Sequence, residues 1–188
     1  MADAPPVTPD IVVPEISKTP MVVFGESLQA HLAGAIESFQ IISEQLILHV
    51  NPTGLLAVMA YLRDDDACQF KQLQDVCGVD FPERPLRFEV VYQLLSLKHN
   101  ARIRVKIATD ENTPVPSVSA LFQSAPWFER ETWDMYGIMF DGLEDHRRIL
   151  TDYGFDGHPL RKDFPLSGHV EVHYDPEQRR VVYGPVSL

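Results

Sequence analysis

Residues 86–107 read LRFEVVYQLLSLKHNARIRVKI, and this stretch decides the fold. Leu86, Phe88, Val90, Tyr92 and Leu94 alternate with Arg87, Glu89, Val91, Gln93 and Leu95. After the polar Lys98-His99-Asn100, Ile103, Val105 and Ile107 alternate with Arg102, Arg104 and Lys106. A period of two on both arms around a turn describes a long antiparallel hairpin with one apolar face. A four-residue turn would set Tyr92, Leu94 and Ser96 opposite Ile107, Val105 and Ile103. A slip of one residue would carry Arg104 and Lys106 into the core, so burial selects the register.

Working toward the N-terminus, the mixed segment Leu73–Phe81 suits a short strand beyond the acidic link Asp64-Asp65-Asp66. Asn51 can cap a helix with Pro52 in its first turn and Leu55, Val58, Met59 and Leu62 as its buried stripe. Gln40–Ile42 and Leu46–Val50 flank Ser43-Glu44-Gln45, a spacing for a tight hairpin. Phe24, Leu28, Leu32, Ala35, Ile36 and Phe39 recur at helical intervals, which predicts an amphipathic helix ending near Ser38. The order helix, two strands, helix, three strands predicts a two-layer α+β domain with a long irregular C-terminal extension. Residues 1–20 carry five prolines and read as an extended arm, 21–112 as the core domain, and 113–188 as an extension outside it.

In that extension Pro114 and Pro116 interrupt the backbone, and Ser124-Ala125-Pro126 opens a helix running from Trp127 to about Tyr136, capped by Gly137. From Gly137 to Gly168 there is no sustained periodicity. Such a segment would not offset its own ordering cost, about 1–2 kcal/mol per residue, so it is expected to be ordered against other chains.

Sixteen basic and twenty-seven acidic side chains leave the 188-residue chain at −11. That charge disfavours nucleic acid and anionic lipid and favours basic partner surfaces. No apolar run reaches the roughly 18–20 residues that span a bilayer, and the start resembles neither a signal nor a transit peptide, so the chain is expected to stay where it is made. The two cysteines, Cys68 and Cys77, suggest no disulfide framework and no cluster ligation by this chain alone.

Three candidate chemistries arise from the residues. Glu129, Glu131 and Asp134 could act as acid–base carboxylates with His146 or His158, but the run offers no nucleophile beside a base and no phosphate loop. Their ordinary role is ion pairing at a charged interface, where Arg130 neutralises whichever it reaches. His169, Glu171 and His173 share one strand face at metal-ligand spacing, although a solvated surface has the same pattern. Arg147, Arg148, Arg161 and Lys162 sit among apolar neighbours in an otherwise acidic chain, and with Trp127, Trp133, Tyr136, Phe140, Tyr153 and Phe155 as aromatic anchors they suit a protein interface. Trp133 and Tyr136 suit a core equally well.

The run Glu129-Arg130-Glu131-Thr132-Trp133-Asp134-Met135-Tyr136-Gly137, followed by Arg147–Gly154 and Gly157–Pro165, resembles the C subunit of respiratory NADH:quinone oxidoreductase, complex I. Leu143 departs from the pattern, since the family often carries His or Lys there. The resemblance implies an α+β scaffold subunit of a proton-translocating electron-transport complex, with no catalytic residue, metal or cofactor on this chain. FMN, iron–sulfur clusters, NADH and quinone would be bound by other subunits. The implied partners are chiefly the large D subunit, with the B and I subunits nearby. Membrane association would be indirect, on the cytoplasmic side of a bacterial inner membrane or the matrix side of an organellar one. The implied contact surface is Trp127, Glu129, Arg130, Glu131, Trp133, Asp134, Tyr136, Arg147, Arg148, Tyr153, His158, Arg161, Lys162, Asp163 and Phe164. The rivals are an equivalent scaffold in a membrane-bound hydrogenase or ferredoxin-accepting complex, and a hydrolase using Glu129 and Asp134.

Overall fold

A computed structural model describes residues 20–186. Helix α1 (Pro20–His31) leads to strands β1 (Ile36–Ile42) and β2 (Gln45–Val50), then α2 (Leu55–Asp64), β3 (Gln72–Asp80), β4 (Phe88–Ser96) and β5 (Ala101–Thr109). The sheet order is β1-β2-β5-β4-β3, antiparallel except where β2 lies parallel to β5. The expected two-layer α+β arrangement is therefore present, and the arm expected over residues 1–20 lies almost wholly outside the described residues.

The β4–β5 hairpin has the expected faces with a different register. Tyr92 pairs with Val105, Leu94 with Ile103 and Ser96 with Ala101, two residues from the expected pairing: the loop Leu97–Asn100 does have four residues, and four residues place Ser96 opposite Ala101, whereas Ile103 would require six. A shift of two preserves which side chains point inward. Phe88, Val90, Tyr92, Leu94, Ile103, Val105 and Ile107 are all fully buried. On the other face Lys106 Nζ donates to Glu89 Oε1 at 2.7 Å.

Helix α1 stops at His31 rather than near Ser38. Gly34 takes the left-handed φ of +87°, and Ile36 already pairs with Val50. Ala35 and Ile36 still donate to Leu32 O in the closing turn, and from Ile36 onward the chain is paired with β2, so the helical spacing of Ile36 and Phe39 is coincidental. Phe39 packs over Gly25 of α1, where a Cβ would lie 2.7 Å from the ring. The following turn is the two-residue Ser43-Glu44, both with positive φ (50° and 60°), as a hairpin connection that matches strand twist requires. Asn51 caps a 3₁₀ turn, Pro52–Gly54, that runs into α2, and the stripe Leu55, Val58, Met59 and Leu62 is buried as its spacing predicts.

Packing continues past residue 112. Strand β6 (Val115–Pro116) pairs in parallel with β7 (Phe140–Asp141), and α3 (Ala125–Tyr136) lies against β3. Val115, Val118, Phe122, Ile138, Phe140 and Leu143 belong to the same hydrophobic cluster as the sheet and α2. Residues 113–143 are thus part of the core and not an appendage to it, which corrects the reading of everything after 112 as lying outside. The apolar positions were visible in the sequence, but with only two-residue strands between them they formed no period. Thr132 Oγ1 of α3 donates to Val76 O of the edge strand β3 at 3.0 Å, and a Cβ at Gly78 would meet the Tyr136 ring at 2.7 Å. A terminal hairpin, β8 (Val170–Asp175) and β9 (Arg180–Pro185), forms its own two-stranded sheet.

Candidate functional site: a clamp at the end of the third helix

Helix α3 begins with Pro126 in its first turn and ends at Gly137, whose φ of +76° lets the chain turn off the helix axis. Its side chains one turn apart, Arg130 and Asp134, hold the backbone of residues 147–151 by opposite means. The Arg130 guanidinium donates to the carbonyls of Arg147 and Arg148. Asp134 Oδ2 accepts from the amides of Ile149, Leu150 and Thr151 at 2.9, 2.8 and 3.0 Å. Its Oδ1 accepts from the Thr151 hydroxyl at 2.6 Å and from Arg148 Nη1 at 2.9 Å. A cation takes the carbonyls and an anion takes the amides, so an irregular segment gains the backbone partners that a helix or sheet would otherwise supply.

The segment answers by closing the helix. The last four carbonyls of a helix lack partners within it. Here Trp133 O receives the Gly137 amide, Asp134 O receives Arg148 Nη1 and His158 Nδ1, Met135 O receives the Leu160 amide, and Tyr136 O receives Arg161 Nε at 2.6 Å. Two of these donors are guanidinium groups at the negative end of the helix dipole, a favourable placement. Arg148 also donates to Phe155 O and lies 5.4 Å from the Trp133 ring centroid. Trp133 is flanked edge-on by His146 and His158.

A second tie joins the segment to the sheet. Asp80 points inward at the end of β3 and pairs with both Arg87 Nε and Nη2, at 2.7 and 2.8 Å, while its Oδ2 also accepts the Lys162 amide. Arg87 reaches Asp163 at 3.0 Å and Glu111 at 2.8 Å. The Asp80 carboxyl is held below its ordinary range, by Arg87 chiefly.

Burial alone would raise the Asp134 carboxyl, but the Thr151 hydroxyl, Arg148 and the amides outweigh it and hold the group far down. Glu129 contrasts with it. Burial pushes its carboxyl up against the opposing donation of the Ser117 hydroxyl (2.6 Å) and the Val118 amide (2.7 Å). Burial pushes the Cys68 thiol up to about 11, so it is an inert core residue.

The residues expected at an interface fall into three groups. Glu129 and Asp134 are completely buried and every carboxylate oxygen is occupied within the chain, so neither side chain can meet a partner or a substrate, and the hydrolase reading loses its catalytic pair. Arg148 likewise pairs within the chain, with Asp134. Arg130, Trp133, Tyr136, His158, Arg161 and Phe164 are half-buried in the clamp or against the core. Trp127, Glu131, Arg147, Tyr153, Lys162 and Asp163 are exposed, Tyr153 at 84% and Trp127 at 64%. Asp80, Arg87, Ser117 and Thr151 were not among the residues expected at a site. An acid at an inward position of β3 is a signal that could have marked Asp80, since a buried carboxylate requires a partner. His169, just before β8, and Glu171 and His173 on it lie exposed, and among the described residues no group of three potential ligands could hold a metal.

The histidines give the clamp a pH dependence. His146 Nε2 accepts the Phe140 amide, and His158 stands beside Arg161 and Arg148. Burial, chiefly, lowers both side chains below the ordinary imidazole value. The unfolded chain then binds more protons, so their contribution to stability is complete above about pH 6.5 and is lost as pH falls toward the folded values. The melting temperature is expected to fall between pH 7.5 and 5, with a shallower slope in His158→Asn, whose amide keeps the donor to Asp134 O. Equal slopes in the two proteins would contradict this account.

Residues 48–170 match the family described as respiratory-chain NADH dehydrogenase, 30 Kd subunit. The chain belongs to that family. The C subunit of the NADH-quinone oxidoreductase of Paramagnetospirillum magneticum is 65% identical over 144 residues, covering 77% of this chain and 72% of that protein. The counterpart in Xanthobacter autotrophicus is 58% identical over 161 residues, 86% and 77% of the two chains. A mitochondrial relative, NADH dehydrogenase (ubiquinone) iron-sulfur protein 3 of Candida albicans, is 52% identical over 88% of this chain and 59% of its own. Among solved structures, a trypsin-resistant fragment (1–134) of Nqo5 superposes with a TM-score of 0.55 at 29% identity, covering 64% of this chain and 94% of that one. A chain of the membrane-bound sulfane sulfur reductase, an archaeal respiratory membrane complex, reaches 0.65 at 22% identity, over 77% and 85%, and shares the fold. The 30 Kd family match covers β3 to β5, α3 and the whole clamp. Leu143 is buried in the core cluster.

Proposed function

We propose that this chain is a non-catalytic subunit of the peripheral arm of proton-translocating NADH:quinone oxidoreductase, which holds a docking surface rigid for its neighbours. The observation that carries the reading is the clamp. Its ionisable groups are spent on backbone groups, Arg130 and Asp134 on residues 147–151 and His158 and Arg161 on the carbonyls of Asp134 and Tyr136, so they build a shape and leave no base beside a nucleophile. The shaped segment turns apolar side chains outward, Leu150 at 63% exposure and Leu160 at 49% among them. Among the described residues no helix is long and apolar enough to cross a membrane, in keeping with attachment through partner proteins. In this reading NADH, FMN, the iron–sulfur clusters and quinone are bound by other chains. The large D subunit is the chief contact, and the B and I subunits lie nearby.

Affinity purification of the tagged chain from gently solubilised membranes tests the reading. Co-purification with flavin- and cluster-bearing subunits and NADH:quinone activity is the expected result. Recovery with hydrogenase subunits, or as a free chain that turns over a substrate alone, would overturn it.

A further inference from the structure

The clamp fixes one face of a groove that it does not fill. Asp152–Asp156 and Phe164 form one wall, and His169, Val170, Val172 and Tyr183 of the terminal hairpin form the other, around about 390 Å³. Arg148 fixes the first wall through Phe155 O, and the walls touch where the Tyr183 hydroxyl meets Asp152 Oδ2 at 3.3 Å and the Phe164 ring meets His169. The hairpin carries Val170, Val172, Tyr174, Val181 and Tyr183, each more than half exposed. A two-stranded hairpin is marginal by itself, and uncovered aliphatic and aromatic surface of this kind marks an interaction site.

The occupant follows from the chemistry of the rim. Asp152 and Asp156 line the groove, and they belong to a chain of net charge −11. The phenol rings of Tyr153 and Tyr183 stand beside them, exposed at 84% and 63%. Carboxylates beside aromatic faces suit a guanidinium, which can pair with the first and stack on the second. The apolar floor suits an aliphatic or aromatic anchor next to it. We infer that this groove seats a segment of a neighbouring protein in which an apolar side chain lies within about three residues of an arginine or lysine. The inference rests on the scaffold reading and adds to it the place and character of one contact.

The test uses the full chain in native membranes, with the photo-crosslinking amino acid p-benzoylphenylalanine in place of Tyr153, whose exposure allows the exchange. After irradiation the crosslinked peptide is sequenced by mass spectrometry. The expected product is a peptide of another protein of the complex with a cation within about three residues of an apolar anchor. Its yield should drop about tenfold when Asp152→Asn and Asp156→Asn are combined, as the loss of one charge-assisted contact implies. A crosslinker in place of the exposed Trp127 should be unaffected by those substitutions, which shows that the chain still folds and assembles. Crosslinks to a second copy of this chain, to lipid only or to nothing overturn the inference. So does a partner peptide lacking a cation, or a yield insensitive to both aspartates. If the chain co-purifies with flavin-bearing subunits and the crosslink fails, only the groove assignment falls. A basic and apolar peptide from some other complex would leave the groove standing and remove the NADH:quinone reading.

Discussion

Asp134→Ala is expected to lower the folding stability of the chain by about 3–5 kcal/mol, the cost of removing one partner from a buried ion pair. The substitution strands Arg148, frees the Thr151 hydroxyl and leaves three consecutive amides without an acceptor. Against a net stability of about 5–15 kcal/mol for a domain, such a loss lowers the melting temperature by many degrees. The damage should be graded along the chain. Amide hydrogen exchange should accelerate most over residues 147–161, while β4 and β5, whose side chains are buried independently of the clamp, keep their protection. Uniform acceleration across the sheet would show that the clamp belongs to the same cooperative unit as the core.

The second large effect concerns where the chain can be cut. A fragment ending at residue 112 keeps the sheet, α1 and α2 but loses Val115, Val118, Phe122, Ile138 and Phe140 from the shared cluster. Each of these buried side chains contributes about 1.5–3 kcal/mol, and together they rival the net stability of a whole domain. The fragment should show no cooperative melting transition. A chain ending at residue 168 retains the core, the clamp and the Asp80–Arg87 tie and should melt cooperatively, having lost only the exposed hairpin. Calorimetry on the two proteins distinguishes these outcomes, and cooperative melting of the shorter one would restore the boundary at 112.

What the sequence made legible follows from the range of the interactions. The hairpin of β4 and β5 is written in an alternation over adjacent residues, and the stripe of α2 repeats within one turn, so both were readable. The end of α1 was misplaced because Ile36 and Phe39 satisfy a helical spacing and a strand equally, and only β2, a partner in space, decides between them. Residues 113–143 carried their apolar side chains without a period. The clamp was legible as composition and hidden as geometry. Arg130, Asp134, Arg148, His158 and Arg161 all drew notice as an interface, yet the pairing of Asp134 with amides some 15 residues away depends on the turn at Gly137. Polar groups that recognise backbone leave no complementary side chain in the sequence by which to find them.

The central claim is that the clamp shapes a docking surface and takes no part in electron transfer. NADH:quinone turnover divided by the amount of assembled complex, in membranes carrying Asp134→Asn, tests it most directly. The account predicts fewer assembled complexes, each turning over at the rate of the parent. Normal assembly with turnover abolished per complex would place these residues in the chemistry and contradict it.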